Sequence, residues 1–216
     1  MSAKILAAKQ TRSKESLNRL LKAAAEIMAE NGLEGATIPR IAARAGLSPG
    51  AVYRRFPDKD ALIQNVVLKM LQSNDEGVER LLQQGKLQNM GLKDFVELII
   101  GKTIIGYRTH APLVRAVHTF VRSHTNAAFR RKARQIEMRT FKRVTEFLLT
   151  KREEISHPDP EIAFPFSLLL NAFTMKELIV EEVFSKSWAT LLPKDDAGLQ
   201  RELTRVILNY LGVKSK

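Results

Sequence analysis

The feature that most restricts this chain is periodicity. Almost every long segment repeats apolar residues at the three- and four-residue spacing of one helix face, and none alternates as a half-buried strand would. Between Lys14 and Glu30 the apolar positions are Leu17, Leu20, Leu21, Ala24, Ile27 and Met28, and Asn31-Gly32 comes next as a stop. Thr37 is placed to cap a short helix that turns Ile41 and Ala42 inward and ends near Ala45-Gly46. Ser48-Pro49 joins an N-cap residue to a proline at the first helical position, opening a second short helix over about 49–55 that Pro57 closes. Asp58 then caps a longer helix through Leu62, Val66, Met70 and Val78 to about Gln83. Beyond Gly85 the pattern predicts helices over 92–109, 112–123, 126–152, 160–184 and 197–211, punctuated by Pro112, Pro158, Pro160 and Pro193. Pro165 is expected to kink the helix opening at Pro160 or to move its start. The first ten residues, with Lys4 and Lys9 around a short apolar patch, read as a loose arm too short for a secretory signal. The expected fold class is all-α: an N-terminal three-helix helix-turn-helix domain over 1–60 and a larger C-terminal helical bundle over 61–216, joined by a shared helix.

Charge narrows the partners. The 216 residues carry a net charge of +12, and residues 1–60 hold 11 basic against 6 acidic side chains. Such a surplus suits a polyanion, whether DNA, RNA or an anionic membrane surface. The absence of cysteine excludes disulfides, thiolate metal sites and thiol catalysis, and fits a cytoplasmic protein. No apolar run of about 18 residues is apparent, so no membrane partner is expected. There is no phosphate-cradling glycine loop, no Gly-x-Ser-x-Gly and no recognisable carboxylate pair. His110, His118 and His124 lie near Arg108, Arg115 and Arg122 without zinc-helix spacing, and read as surface or loop residues. An anionic ligand site is their second reading. The basic run Arg130, Arg131, Lys132 and Arg134 reads as a solvated helix face. No metal, cofactor or catalytic residue is expected.

The stretch from Thr37 to Leu62 carries the chemistry. Two short helices meet at Gly46, a turn position where positive φ favours glycine. Ala42 lets them pack closely, while Ile41, Leu47, Val52 and Phe56 fix the angle between them. In such a motif the second helix enters the major groove, its N-terminal residues near base edges. Ser48, Pro49, Gly50 and Ala51 are small enough for close backbone approach, and Tyr53 and Arg54 supply a hydroxyl and a guanidinium for phosphate or base. Arg40, Arg44 and Arg55 add charge around them. Taken singly, Arg44 and Arg55 are ordinary solvated charges, Tyr53 a core ring with a wet hydroxyl, and Gly46 only a turn. Their conjunction at fixed offsets is what points to DNA.

Over about 16–67 these elements resemble the TetR family of bacterial regulators. The shared features are Asn31-Gly32, then Thr37-x-x-x-Ile-Ala-x-x-Ala-Gly-x-Ser48, then Tyr53-x-x-Phe-x-x-Lys59-x-x-Leu62. The resemblance implies that Thr37 and Ser48 cap helices and touch phosphates, that Tyr53 binds backbone phosphate, and that Lys59 does so from the start of the fourth helix, assisted by its dipole. Pro39 departs from the pattern, standing where many relatives carry a side chain able to reach a base. Arg40 is one substitute and Arg54 with Arg55 another.

The resemblance further implies a homodimeric repressor on a double-stranded, palindromic operator, released by a small-molecule effector. The family's dimer is a four-helix bundle from its last two long helices. Here one of them has two apolar stripes: Ile162, Phe166, Leu169, Phe173 and Val180, and Leu168, Ala172, Met175, Ile179 and Val183. A helix apolar on two sides is buried on both. The other candidate carries Leu199, Leu203, Val206, Ile207, Tyr210 and Leu211. Candidate ligand-binding residues within the bundle are Phe95, Ile99, Tyr107, Phe120, Phe141, Phe147, Leu170, Phe173 and Met175, which suit a hydrophobic or aromatic effector, with an anionic one as the second reading. Rival readings are an architectural DNA-binding protein without effector and an enzyme in the C-terminal half.

Overall fold

The computed structural model describes residues 2–181 and 187–213. Its helices are α1 (Ser2–Gly35), α2 (Ile38–Arg44), α3 (Pro49–Tyr53), α4 (Lys59–Leu82), α5 (Gly85–Gln88), α6 (Leu92–Ser123), α7 (Ala127–Leu149), α8 (Pro160–Met175) and α9 (Asp196–Leu211). Among the described residues the only β pairing is a single bridge between Ile155 and Val213. The chain is all-α, with an N-terminal helix-turn-helix and a C-terminal helical domain. It divides into two compact units: Met1–Leu71 with Pro112–Ala133, and Gln72–Ala111 with Arg134–Lys216.

The first unit closes over Leu20, Ala24 and Met28 of α1, Ile41 and Ala42 of α2, Val52 of α3 and Leu62 of α4, all of them fully buried. Phe120 of α6 and Phe129 of α7 belong to this core too. One sequence expectation changes here. The loose arm is helical from Ser2, because nothing before Gly32 interrupts a run rich in good helix formers. The expected stop does hold at Gly32, whose φ of 67° breaks the helical path. His124 lies in the loop between α6 and α7, as one of its two readings expected, and its ring packs against Phe120 and Phe129 at 4.7 and 5.2 Å. Its Nδ1 accepts from the Asn126 amide at 3.0 Å and its Nε2 lies 3.0 Å from the Gln64 side-chain amide.

Pro112 does not divide α6, which runs unbroken from Leu92 to Ser123. A proline inside a helix loses one backbone bond and crowds the preceding turn. Both flanking halves are nevertheless pinned, by Ile100 and Ile104 in one core and by Ala116, Val117 and Phe120 in the other. Tertiary burial outweighs the local penalty. Pro165 likewise sits inside α8 without moving its start, which Asp159 caps by accepting from the Ile162 amide at 3.2 Å.

The second unit packs around Phe95, Ile100 and Ile104 of α6, Phe147 of α7, Phe164 and Met175 of α8, and Leu211 of α9. Within it Asp75 of α4, only 2% exposed, is clasped by α7. Its carboxylate accepts from Arg139 Nε at 2.7 Å and the Thr140 hydroxyl at 2.9 Å, with Arg143 Nε at 3.3 Å. Burial alone would raise its pKa. The Thr140 hydroxyl and the two guanidinium groups outweigh that and hold it below the ordinary carboxylate value. A carboxyl with a depressed pKa stabilises the fold above its unfolded pKa, and the contribution is lost as pH falls through the folded value. Asp75→Ala is expected to lower Tm at neutral pH by about 3–10 °C, from a loss of about 1–3 kcal/mol. Thermal denaturation at pH 7 and in mild acid checks this: the gap between wild type and variant should shrink as pH falls below the carboxylate range.

The π turn Lys176–Val180 comes directly after α8. The extra residue in that turn rotates the helix face, so Val180 is fully buried and parts from Ile162, Phe166, Leu169 and Phe173, the stripe in which sequence periodicity placed it. Val183 and Phe184 lie outside the described residues. Within the 21-residue stretch Pro160–Val180 an 18-residue window has a mean hydropathy of 1.3, long and apolar enough by composition to cross a membrane, which corrects the expectation that no such run exists. Its face toward Ala163, Phe164, Ser167, Asn171 and Met175 is nonetheless packed inside the second unit.

Candidate nucleic-acid interface

The turn between α2 and α3 is a helix-terminating motif built on Gly46. Its φ is 65°, its amide donates to the Ala43 carbonyl at 3.1 Å, and the Leu47 amide reaches back to the Ala42 carbonyl at 2.9 Å. These two bonds close the last turn of α2 and demand a left-handed residue between them. Nothing lies within 4 Å of where a β-carbon on Gly46 would stand, so the penalty for a side chain is purely conformational. Gly46→Ala is therefore expected to cost about 1–2 kcal/mol and lower Tm by about 2–8 °C. Differential scanning calorimetry reads this directly.

Ser48 caps α3, its hydroxyl accepting from the Ala51 amide at 3.2 Å, and Pro49 occupies the first helical position. Thr37 stands at the N-cap of α2 in extended geometry, but its side chain makes no capping bond; it is exposed instead. Val52 is fully buried and Phe56 nearly so, which points the opposite face of α3 outward. On that face Ser48, Pro49, Gly50, Tyr53, Arg54 and Arg55 are exposed or nearly so, and Ala51 is half-buried. Tyr53 is 55% exposed, which removes its reading as a core ring.

The basic residues separate by their partners. Arg44 forks onto Glu30, Nη1 to Oε1 at 2.9 Å and Nη2 to Oε2 at 2.8 Å, with Glu26 at 3.4 Å. The fork raises the Arg44 pKa and lowers that of Glu30. Arg44 thus staples α2 to α1 with its charge matched by Glu30. Arg40 donates a long bond of 3.5 Å to the Gly35 carbonyl, and Arg55 one of 3.3 Å to the Ser16 hydroxyl. Ser16 had no signal of its own in the sequence. Lys59 Nζ donates to the Leu33 carbonyl at 2.5 Å, a cation at the C-terminal end of α1. The ammonium keeps two further donors. Asp58 caps α4 beside it, accepting from the Ala61 amide at 2.7 Å. Arg54 is exposed at the C-cap of α3, and its side chain has no hydrogen bond or ion pair among the described residues. Its Nη1 lies 4.0 Å from where a β-carbon on Gly50 would sit, so its guanidinium folds back along the outward face of α3.

The expected ligand-lining residues scatter. A narrow cleft in the second unit is lined by Phe95 and Ile99 of that set, together with Leu148, Leu168, Asn171 and Ile207. Phe147 stacks on Phe95 at 4.6 Å without reaching the cleft. Met175 is fully buried core, and Tyr107 is half-buried, its phenol pKa pushed up by burial and by the Glu137 charge. Phe141 is half-buried and outside both cores. Phe120 belongs to the first unit's core. Leu170 and Phe173 face outward at 41 and 64% exposure. Side-chain size selects these residues from sequence, whereas enclosure depends on which helix face looks inward.

Residues 20–66 match the family of bacterial regulatory proteins of the tetR type. The chain is 28% identical over 169 residues to the transcriptional regulator UidR of Escherichia coli K12, spanning 75% of this chain and 80% of that one. It is 37% identical over 67 residues to the regulator BetI 1 of Chromohalobacter salexigens, 31% of this chain and 33% of that one. The crystal structure of the regulator FadR from Bacillus subtilis in complex with stearoyl-CoA shares the fold, with a TM-score of 0.66 at 18% identity over 89% of this chain and 97% of that one. The turn at Gly46, the outward face of α3 and these likenesses agree: residues 20–66 form a DNA-binding domain of the tetR type, and the chain is similar to transcription regulators that carry it.

Proposed function

We propose that this regulator is a cytoplasmic homodimeric repressor, reading a palindromic operator and released from it by a small-molecule effector. The observation that carries the dimer is the outer stripe of α8. Ile162, Phe166, Leu169 and Phe173 stand 43–64% exposed, a continuous apolar surface that a lone chain would leave in water. Val206 of α9 is exposed as well, at 51%. A two-fold dimer through α8 and α9 presents two reading heads, and operator symmetry is the consequence.

Residues 1–60 are the reading head and 61–216 the effector and dimer domain. Thr37, Arg40, Ser48, Pro49, Gly50, Ala51, Tyr53, Arg54, Arg55 and Lys59 face the duplex, with Arg54 foremost because no protein group competes for it. Helix α4 links the two functions: it starts at Lys59 beside the reading head and ends at Leu82, within the second unit's core. The Asp75 clasp ties its second half to α7. An effector that displaces those helices changes the spacing of the heads, provided it binds the released conformation more tightly. A coupling of about 1–3 kcal/mol gives roughly 5- to 150-fold weaker operator binding, and the operator weakens the effector equally. The acyl-CoA held by the FadR neighbour supports an effector-sized ligand in this fold. Titrating a candidate ligand with and without operator tests the coupling. Equal affinity in both titrations removes that ligand as inducer, and a solid core that takes up no ligand of any class favours the architectural reading.

A further inference from the structure

The cleft of the second unit carries a polar signature that its apolar walls do not need. Phe95, Val96, Ile99 and Ile100 of α6 and Ile207 and Leu211 of α9 supply most of the lining. From α8 come Leu168 and two polar residues, Ser167 and Asn171. Ser167 is satisfied internally, its hydroxyl donating to the Phe164 carbonyl at 2.8 Å. Asn171 is not. It is 7% exposed, and its Oδ1 is buried with no hydrogen-bond partner among the described residues. A buried amide oxygen without a donor is costly, and native proteins keep few of them. Among the described residues no charged side chain lines the cleft.

We propose that this cleft is the effector site and Asn171 its polar anchor, selecting an uncharged, slender, mostly apolar molecule that offers one O–H or N–H donor. The assignment rests on the effector reading above and makes it specific. An anion is disfavoured because burying its charge among these walls finds no counter-charge. The space between the walls, with its solvent-open mouth, is about 340 Å³, but the enclosed part holds only a water molecule or two. A linear chain therefore enters with less rearrangement than a ring system. Binding must part α6, α8 and α9, which supply most of the second core, and of which α8 and α9 also carry the proposed dimer surface.

The test uses the full-length protein and three probes: 1-heptanol, its isomer 1-methoxyhexane, which cannot donate, and heptanoate, which is charged. Calorimetric titration is expected to give saturable 1-heptanol binding about tenfold tighter than the ether, the discrimination one neutral hydrogen bond supplies, with heptanoate weaker still. The side-chain amide resonances of Asn171 should shift with 1-heptanol and not with the ether. Asn171→Leu, which fills the same volume without an acceptor, should bind alcohol and ether alike while remaining folded by circular dichroism. Equal binding of alcohol and ether to the wild type, preference for heptanoate, or no saturable binding of any probe would overturn the assignment. If Asn171→Leu fails to fold, the amide resonances of the wild type decide alone. Operator affinity measured in the same samples separates the two claims: alcohol binding at Asn171 with unchanged operator affinity upholds the site and sinks its role as the release switch.

Discussion

Phe173→Glu is expected to convert the protein to a monomer at micromolar concentration and to weaken operator binding by at least about a hundredfold. The magnitude comes from tethering, since two linked reading heads gain about 10²–10⁴ over one head from effective concentration alone. A glutamate there puts a charge in the Ile162, Phe166, Leu169 and Phe173 stripe, where a dimer would have to desolvate it. The same change should leave the fold intact, because Phe173 is 64% exposed in the single chain. Ile207, which sequence periodicity offers as an equivalent dimer probe, is not equivalent. It is 7% exposed within the second core, so a charge there would unfold the unit rather than part a dimer. Sedimentation velocity and thermal melting on Phe173→Glu separate assembly from stability. A dimeric Phe173→Glu protein, or a monomeric wild type, is incompatible with the α8 interface.

The second large effect belongs to Arg54. If it reads a base, Arg54→Ala loses about 1–3 kcal/mol at one operator position, a roughly 5- to 150-fold change confined to sequences carrying that base pair. Lys59→Ala should behave differently. On the proposed interface Lys59 meets a phosphate, so the change should weaken all sequences alike and reduce the salt slope by about one contact. It also removes the tie to the Leu33 carbonyl, so its Tm should fall while that of Arg54→Ala does not. Competition against a randomised operator library distinguishes the two. Unchanged base preference in Arg54→Ala demotes it to a phosphate contact.

The reading head is legible in the sequence because its determinants are local. Gly46 between two short apolar-faced helices, Ser48-Pro49 and Asp58 each act within four residues of where they stand, and the structure repeats them bond for bond. Partners distant in sequence are not legible. Glu30 matching Arg44, Leu33 accepting from Lys59 and Gln64 meeting His124 join residues 14 to 60 positions apart. The larger domain hides more. Pro112 obeys the cores on either side of it rather than its own ring, and the π turn after Met175 shifts the helical phase that periodicity assumes. Asn171 escapes pattern reading because it interrupts an apolar stripe, and a break in a pattern reads as noise until its burial is known.

Whether this chain recognises a symmetric operator as a dimer is decided by sequencing the genomic fragments that the purified protein retains. The recovered sites are expected to share an inverted repeat, with half-site centres about one helical turn (roughly 10–10.5 base pairs) or a multiple of it apart, one dimer protecting each. Fragments without a common motif, or a single unrepeated half-site bound as tightly as the full site, would rule dimeric recognition out.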